Sequence, residues 1–545
     1  MRRRSILIAL GAIFSLAVVI VAIAARPVIA IFVRLRLENI LKEHFKSRIE
    51  FASFRVAFGN GVRADMMQVA LYLEDRMDVP PLIRIEELSI DLQPWTLLRG
   101  RLHFSRVYLK GLQITIPPRA LESPPILRGT TTDLKSKYPV MVELLRADDA
   151  KLTILRGQPG ASPLEFLMHH LDIAGFSFDG PAKFKAKLTN AVPRGEIYAS
   201  GLFGPWDAAD PRSTLVQGDY SFDQADLGTI RGLQGILSST GSFSGPLDYL
   251  DVRGSTDTPD FCLRKVNNPI ALHTDFLATV DGTNGNTYLH SVVARFLHSV
   301  LKTHGAVLDQ DRKLRARTIQ LDVTSENARI EDLIHLAVKT DEPILTGPTR
   351  LRANIVIPER DADLTDRLNV SGNFRIDQGR FSDPALQDKV DSLSRKGQGQ
   401  PRVEEISNVP SQLQGKMQIS GGVIHFRGLR YAVPGATVKL HGDYAVEDGR
   451  LDFHGELLLD AKLSQTTTGA KALLLKAVDP FFSNKNGGSR IPIKITGTRQ
   501  QPQFGMDRGR STDGATQSGA RRDSAQGGLL REKPASPALR KAERR

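Results

Sequence analysis

The sequence predicts a mainly β protein: an elongated antiparallel sheet behind one N-terminal apolar helix, with a few helices inserted among the strands. Three observations carry this. Apolar residues recur with a period of two over most of the chain. Gly, Pro, Asn and Asp punctuate the runs. One stretch, Ser5 to Ala25, holds no charge at all.

That stretch reads SILIALGAIFSLAVVIVAIAA. As a helix it would rise about 31 Å at ~1.5 Å per residue, against a bilayer core of ~30 Å. Arg2, Arg3 and Arg4 precede it, which predicts a cytoplasmic N-terminus and a chain that continues on the far side. In a bacterium this describes a single-pass inner-membrane protein with its bulk in the periplasm. Ala22-Ile23-Ala24 also fits a signal-cleavage site. A cleaved signal has an apolar region of only ~7–15 residues, and here apolar character resumes through Val28, Ile29, Ile31, Phe32 and Val33. The anchor, bounded by Ser5 and Ala25, is the expectation and cleavage the alternative.

Arg34 to Phe45 places Leu37, Ile40, Leu41 and Phe45 at helical spacing, a short amphipathic helix. The period then changes to two. Val62, Ala64 and Met66 alternate, as do Val69, Leu71 and Leu73. Ile83, Ile85, Leu88, Ile90 and Leu92 follow with one slip, and Leu102, Phe104, Val107, Leu109, Leu112, Ile114 and Ile116 continue. Alternation puts one face of each strand in an apolar environment and the other in water.

From about Ala120 to Arg360 the pattern weakens. Strands are expected around Ile173–Phe178, Phe184–Leu188, Ile197–Leu202 and Tyr220–Phe222, with Gly241–Gly245 as a turn or strand edge. Ser325 to Val338 has helical spacing at Ile330, Leu333, Ile334 and Ala337, with Ser325 as the predicted N-cap.

The last third is a train of short runs: Leu368–Ile376, Leu413–Ile419, Val423–Phe426, Leu429–Val433, Thr437–Leu440, Tyr444–Val446, Leu451–Phe453, Leu457–Leu459 and Ile491–Ile495. SGG, RGL, PGA, HGD and EDGR stand between them and read as hairpin turns. Helices are expected over Pro384–Arg395 and Ala470–Val478, the second with flanking Lys471 and Lys476 as a cap on the sheet or a membrane-surface element. Beyond Met506 the composition is that of a disordered tail.

Composition narrows the function classes. The chain has 545 residues and one cysteine, Cys262, so no intrachain disulfide and no multi-cysteine metal site can form. Net charge is +13, but from Met506 onward ten Lys/Arg stand against five Asp/Glu. With much of the excess at the ends and an anchor at the front, nucleic acid is not an expected partner, and anionic head groups suit the location better.

No GxSxG, P-loop or HExxH occurs. His169 and His170 are neighbours that a strand would point apart. His290, His298 and His304 lack acidic partners at ligand spacing. Asp148-Asp149 and Glu86-Glu87 read as solvated edges, and Asp281 to Asn286 as a tight turn faintly like a calcium loop. No catalytic residue, metal or cofactor is expected.

Several longer stretches resemble a known family. ARIEDLIHLAV (328–338), PILTGPTRLRANIVIP (343–358), LNVSGNFRIDQGRFSD (368–383), LQGKMQISGGVIHFRGLRYAVPGATVKLHGDYAV (413–446) and RIPIKITGTRQQPQFGMD (490–507) are similar to the C-terminal region of bacterial AsmA-like proteins. The anchor followed by IEELSIDLQPWTLLRGRLHFSRVYLKGLQITI (85–116) resembles the start of that family. The resemblance implies an inner-membrane anchor over 1–33, an N-terminal β region over 34–120, a divergent middle over 121–326, a C-terminal β region over 327–507 and a basic tail over 508–545. It implies a curved β-groove along which phospholipid acyl chains lie, with a role in outer-membrane lipid homeostasis and an outer-membrane or envelope protein as a further partner.

The groove-lining candidates are Ile90, Leu92, Ile114, Ile116, Met417, Ile419, Val438 and Leu440. The same alternation also fits a closed, self-packed core. Stacking roughly 25 strands at ~4.8 Å gives about 120 Å of sheet. A second function fits the same sequence: a non-enzymatic envelope scaffold that assists outer-membrane protein assembly.

Overall fold

The alternating runs form strands that pair in chain order. A computed structural model describes residues 31, 35, 49–58, 61–72, 81, 83–92, 102–116, 140–154, 164–177, 179–206, 211–308, 317–339, 342–358, 362–402, 407–467, 471, 475–476, 479–483 and 487–507. The chain divides into two units, Met1–Met506 and Asp507–Arg545, and the described strands belong to the first. The expected anchor Ser5–Ala25, nearly all of the helix over 34–45, most of that over 470–478 and the tail lie outside the described residues. No helix among the described residues is long and apolar enough to cross a membrane.

The described strands form one sheet. At its start β1 (Ile49–Glu50) and β2 (Ser53–Phe58) both pair with β3 (Val62–Leu71), which pairs with β4 (Ile83–Leu92). β5 (Leu102–Lys110) and β6 (Gln113–Ile116) are two halves of the next position, separated at Gly111 with φ 61°. They pair antiparallel with β4 and parallel with β7 (Val140–Ile154). The sheet is therefore mixed, where the hairpin-type turns predict antiparallel pairing throughout. Parallel neighbours need a crossover of a dozen or more residues, and the length of chain between β6 and β7 supplies it.

Antiparallel pairing then continues through β8 (Leu164–Ser177), β9 (Ala182–Ala191), β10 (Arg194–Phe203) and β11 (Leu215–Asp226). β12 (Leu233–Gln234) is a short strip paired to the end of β14. The main path runs β11, β13 (Ile236–Pro246), β14 (Leu250–Leu263), β15 (Ile270–Val280), β16 (Thr287–Phe296), β17 (Ser299–Leu308) and β18 (Thr318–Arg329). β19 (Leu345–Thr346) is a second short strip, on β21. The path ends with β20 (Pro348–Ile357), β21 (Asn369–Phe381), β22 (Ser411–Ser420), β23 (Val423–Val433), β24 (Ala436–Ala445), β25 (Arg450–Leu459), β26 (Ser489–Thr498) and β27 (Pro502–Met506).

Two sequence signals read differently in the fold. RGL and HGD are not turns. Arg427-Gly428-Leu429 is a register slip inside β23, and His441-Gly442-Asp443 lies within β24, so each pair of expected short strands is one longer strand. Gly241–Gly245 likewise lies inside β13. The predicted helix over Ser325–Val338 is shorter: β18 stays paired to Arg329 through a register slip between Ser325 and Ala328, and α1 spans Ile330–Ala337. Ser325 is no cap. It is a buried strand residue whose hydroxyl donates to the Val300 carbonyl at 2.6 Å.

A second short helix, α2, spans Leu364–Arg367, and α3 spans Pro384–Gly397. α3 follows its sequence signals: the Asp383 side chain accepts from the Ala385 N–H at 2.8 Å and Pro384 opens the first turn.

Strand ends define two sides of the sheet from β10 onward. The connections after β11, β14, β16, β18, β21, β23 and β25 lie on one side, which carries α1 and α3. Those after β10, β13, β15, β17, β20, β22 and β24 lie on the other.

Candidate functional site

The register carries one apolar row from strand to strand. Directly opposed residues share a face, so the pairings can be followed across the sheet. From β3 they read Ala64, Ile90, Val107, Leu145, Ile173, Phe184, Gly201, Gly218, Phe243 and Val252. They continue through Ala278, Leu289, Gly305, Leu321, Ile355, Val370, Ile419, Ile424, Tyr444 and Leu451. The row crosses the main path of the sheet from β3 to β25 without one charged side chain. A parallel row two residues away includes Tyr220, Gly241, Gly254, Phe276, Val292, Ala353, Gly372, Met417, Phe426, Gly442 and Phe453.

Glycines in these rows mark places where neighbouring backbones come close. A Cβ on Gly201 would lie 1.9 Å from the Gln217 carbonyl oxygen, one on Gly305 2.0 Å from that of Gln320, and one on Gly442 2.0 Å from that of Asp452. Gly305 and Gly442 also hold φ of 155° and 150°. Strand glycines of this kind accompany tight bends and close approach.

Cover over the apolar face differs along the sheet. At the start Val62, Ala64, Met66, Ile85, Leu88, Ile90, Leu92, Phe104, Val107 and Leu109 form a buried cluster, with Phe54 and Ile114 packed against it. At the far end Val390 of α3 joins Val409, Val433, Ala436 and Leu459 in a second. Between them Phe184, Phe243, Val252, Leu289 and Leu321 are half-buried.

The sequence-predicted lining residues fall on this one face but in unlike surroundings. Ile90 and Leu92 sit inside the first cluster and Ile114 at its margin. Ile116 closes β6 opposite Ile154. Met417, Ile419 and Val438 are half-buried, and Leu440 is buried opposite Gly455.

One connection joins the two sides of the sheet. Residues 362–368, with α2, follow β20 in the chain, yet the Leu364 N–H donates to the Arg231 carbonyl at 3.1 Å, and Arg231 lies in the connection after β11 on the opposite side. Gly232, with φ 95°, leaves room for Asp363: a Cβ there would lie 2.4 Å from Asp363 Oδ1. Asp366 pairs with Lys265 of the β14–β15 turn. Leu364 and Arg367 are buried. The glycine rows and this strap carry no motif. Register alone reveals the first, and contacts more than a hundred residues apart reveal the second.

The opposite face is a lattice of ion pairs. Arg146 Nε lies 2.8 Å from Asp172 and holds that carboxyl below its usual range. Asp148, 2.7 Å from His170 Nδ1, and Asp172 together raise the His170 imidazole above its usual value. Asp257, at 2.6 Å, does the same for His273. Arg63 lowers Asp91. His169 pairs with Thr189 instead of sharing a ligand with His170. His290 meets Thr279 at 2.7 Å, while His298 and His304 stand 3.6 Å from Asp332 and Asp322. Among the described residues no His, Cys, Asp and Glu group is arranged to hold a metal ion.

The turn at Asp281 is closed on itself. Its carboxylate accepts from the Thr283 N–H at 2.9 Å and from Asn284 Nδ2 at 2.6 Å, and the Arg317 guanidinium donates to the Gly285 and Asn284 carbonyls, where a calcium ion would need free oxygens. Cys262 is buried beside Gln234, and burial pushes its thiol up.

No protein-family model, curated protein or solved structure matches this chain. The fold is mainly β, with one long mixed sheet and few helices.

Proposed function

We propose that this chain is a membrane-anchored envelope protein whose apolar sheet face binds and conducts phospholipid acyl chains between membranes, in support of outer-membrane lipid homeostasis. The observation that carries the reading is the uninterrupted apolar row from Ala64 to Leu451, half-buried over its middle third except at the buried Ala278. A face of this kind has to be covered by protein or by another apolar material. Hydrocarbon tails suit it because leaving them in water costs ~0.8 kcal/mol per CH₂, whereas a run of aliphatics and glycines accepts a flexible chain without a shaped pocket.

Two further observations support a curved trough. Close-packed glycines recur along the rows where strands would bend, and the 362–368 segment, which follows β20, bonds to the connection after β11. The resemblance to AsmA-like proteins over 328–507 agrees, and Ser5–Ala25 is the proposed inner-membrane anchor.

The test is lipid extraction and mass spectrometry of the purified full chain, beside Leu289→Asp and Ile419→Asp variants. Co-purified phospholipid in the wild type, reduced several-fold in both variants at unchanged expression, is expected. Absence of phospholipid from the wild type overturns the reading in favour of the scaffold.

A further inference from the structure

Cations gather on the polar face of the last third. Many cross-strand neighbours elsewhere are of opposite charge, as Arg63 with Asp91 and Arg146 with Asp172, and two acidic pairs, Glu196 with Asp223 and Asp443 with Asp452, are directly opposed. Between β20 and β24 three cationic pairs are directly opposed: Arg350 with Arg375, Lys416 with Arg427, and Arg430 with Lys439. Like charges directly opposite one another destabilise a sheet.

Carboxylates relieve only the flanks. Glu326 lies 3.5 Å from Arg350 and 3.9 Å from Arg352, Asp377 lies 2.9 Å from Arg375, and Glu456 lies 3.3 Å from Lys439. Lys416, Arg427 and Arg430 have no ion-pair partner among the described residues, and all three are exposed. The slip at Gly428, whose Cβ position is open space, places Arg427 and Arg430 on the same face of β23.

We infer that this cationic strip is an interaction surface for an anionic lipid bilayer, with Lys416, Arg427 and Arg430 at its centre. The carboxylate nearest in register on β24, Asp443, is engaged by His425 at 2.7 Å, so the charges of Lys416, Arg427 and Arg430 are left to solvent or to an anionic partner. Strands set the cations about 4.8 Å apart across an exposed sheet face. A face of this kind matches a plane of phosphate head groups better than it encloses one small anion. Guanidinium groups bind phosphate oxygens in pairs, and each cation brought to an anionic surface adds attraction that salt screens. With Ser5–Ala25 as the anchor proposed above, on which this point rests, a membrane lies within the protein's reach. The inference concerns the face opposite the apolar row and holds whether or not lipid occupies that row.

The experiment is flotation of the full chain, kept in a non-ionic amphipol, with vesicles of phosphatidylcholine alone or of phosphatidylcholine with phosphatidylglycerol. Roughly tenfold or more capture by the anionic vesicles is expected, lost as salt rises. K416E/R427E/R430E should abolish the preference, whereas K416R/R427K/R430K should keep it. Arg427→Gln alone should weaken it by several-fold, which preserves the test if the triple reversal fails to fold. Equal capture by both vesicle types, or an anionic preference unchanged in Arg427→Gln and in a folded triple reversal, overturns the inference. Millimolar inorganic phosphate should leave capture intact. Its loss under phosphate assigns the strip to soluble anions and overturns the bilayer assignment.

Discussion

The Leu364 N–H donates to the Arg231 carbonyl at 3.1 Å, although the two residues belong to connections on opposite sides of the sheet. The contact depends on Gly232, where φ is 95° and any Cβ would meet Asp363 Oδ1 at 2.4 Å. Gly232→Ala is therefore expected to release the strap and cost about 1–3 kcal/mol. Asp366→Lys, which disrupts only an exposed pair with Lys265, should cost under about 1 kcal/mol. Hydrogen exchange over 362–368 checks both. Protection that survives Gly232→Ala removes the glycine from this role.

Glycines within strands should be intolerant in proportion to the space behind them. Gly201→Ala and Gly305→Ala would drive a methyl group to 1.9 Å and 2.0 Å from a carbonyl oxygen, and each should cost at least about 2 kcal/mol through forced backbone movement. Gly421→Ala meets open space and pays only for its positive φ, about 1 kcal/mol. Urea unfolding of the three variants tests the order, and a Gly421 variant as unstable as the other two contradicts it.

Histidine–aspartate pairs on the polar face give stability a pH dependence of known sign. His170 is raised by Asp148 and Asp172, so its contribution is fully present below the unfolded value near 6.5. It is lost as pH rises through the higher folded value. His170→Asn should lower stability at pH 5.5 by less than about 1 kcal/mol, because the pair is well exposed, and leave it unchanged at pH 9. Chemical denaturation at the two pH values measures the difference. A larger deficit at pH 9 reverses the assignment.

Asp391 organises the second cluster from inside α3. Its carboxylate, 3% exposed, accepts from Gln387 Nε2 at 2.9 Å, the Asn408 N–H at 2.8 Å and the Val409 N–H at 3.0 Å. Asp391→Ala removes the acceptor of three donors, two of them on the buried Gln387 and Val409, and should cost about 2 kcal/mol or more. Asp391→Asn keeps a side-chain acceptor and should cost less. Thermal unfolding of the pair decides, and equal losses would locate the effect in packing.

The strand period was legible wherever one face meets water, as at Val62–Met66 and Leu413–Ile419, because alternation is imposed by the pleat itself. Strand boundaries were not legible at Gly241, Gly428 and Gly442. Glycine signals a turn and a close backbone approach equally, and only the facing strand distinguishes them. The parallel step between β5 and β7 was hidden for a related reason: its evidence lies in a partner, not in either strand. Of the candidate site, the sequence marks which residues face inward. It does not mark which of them, like Ile90 and Leu440, are already covered by neighbouring side chains.

Because each row passes from partner to partner at constant phase, the protein has the arithmetic of a ruler. From β8 onward, removing any adjacent pair of main-path strands would shorten it by about 9.6 Å and rejoin the rows on the correct face. Removing a single strand would reverse the polarity of every later one. Lengthening by duplicated hairpins, one increment at a time, is thus the route by which such a sheet can grow while keeping its apolar rows continuous.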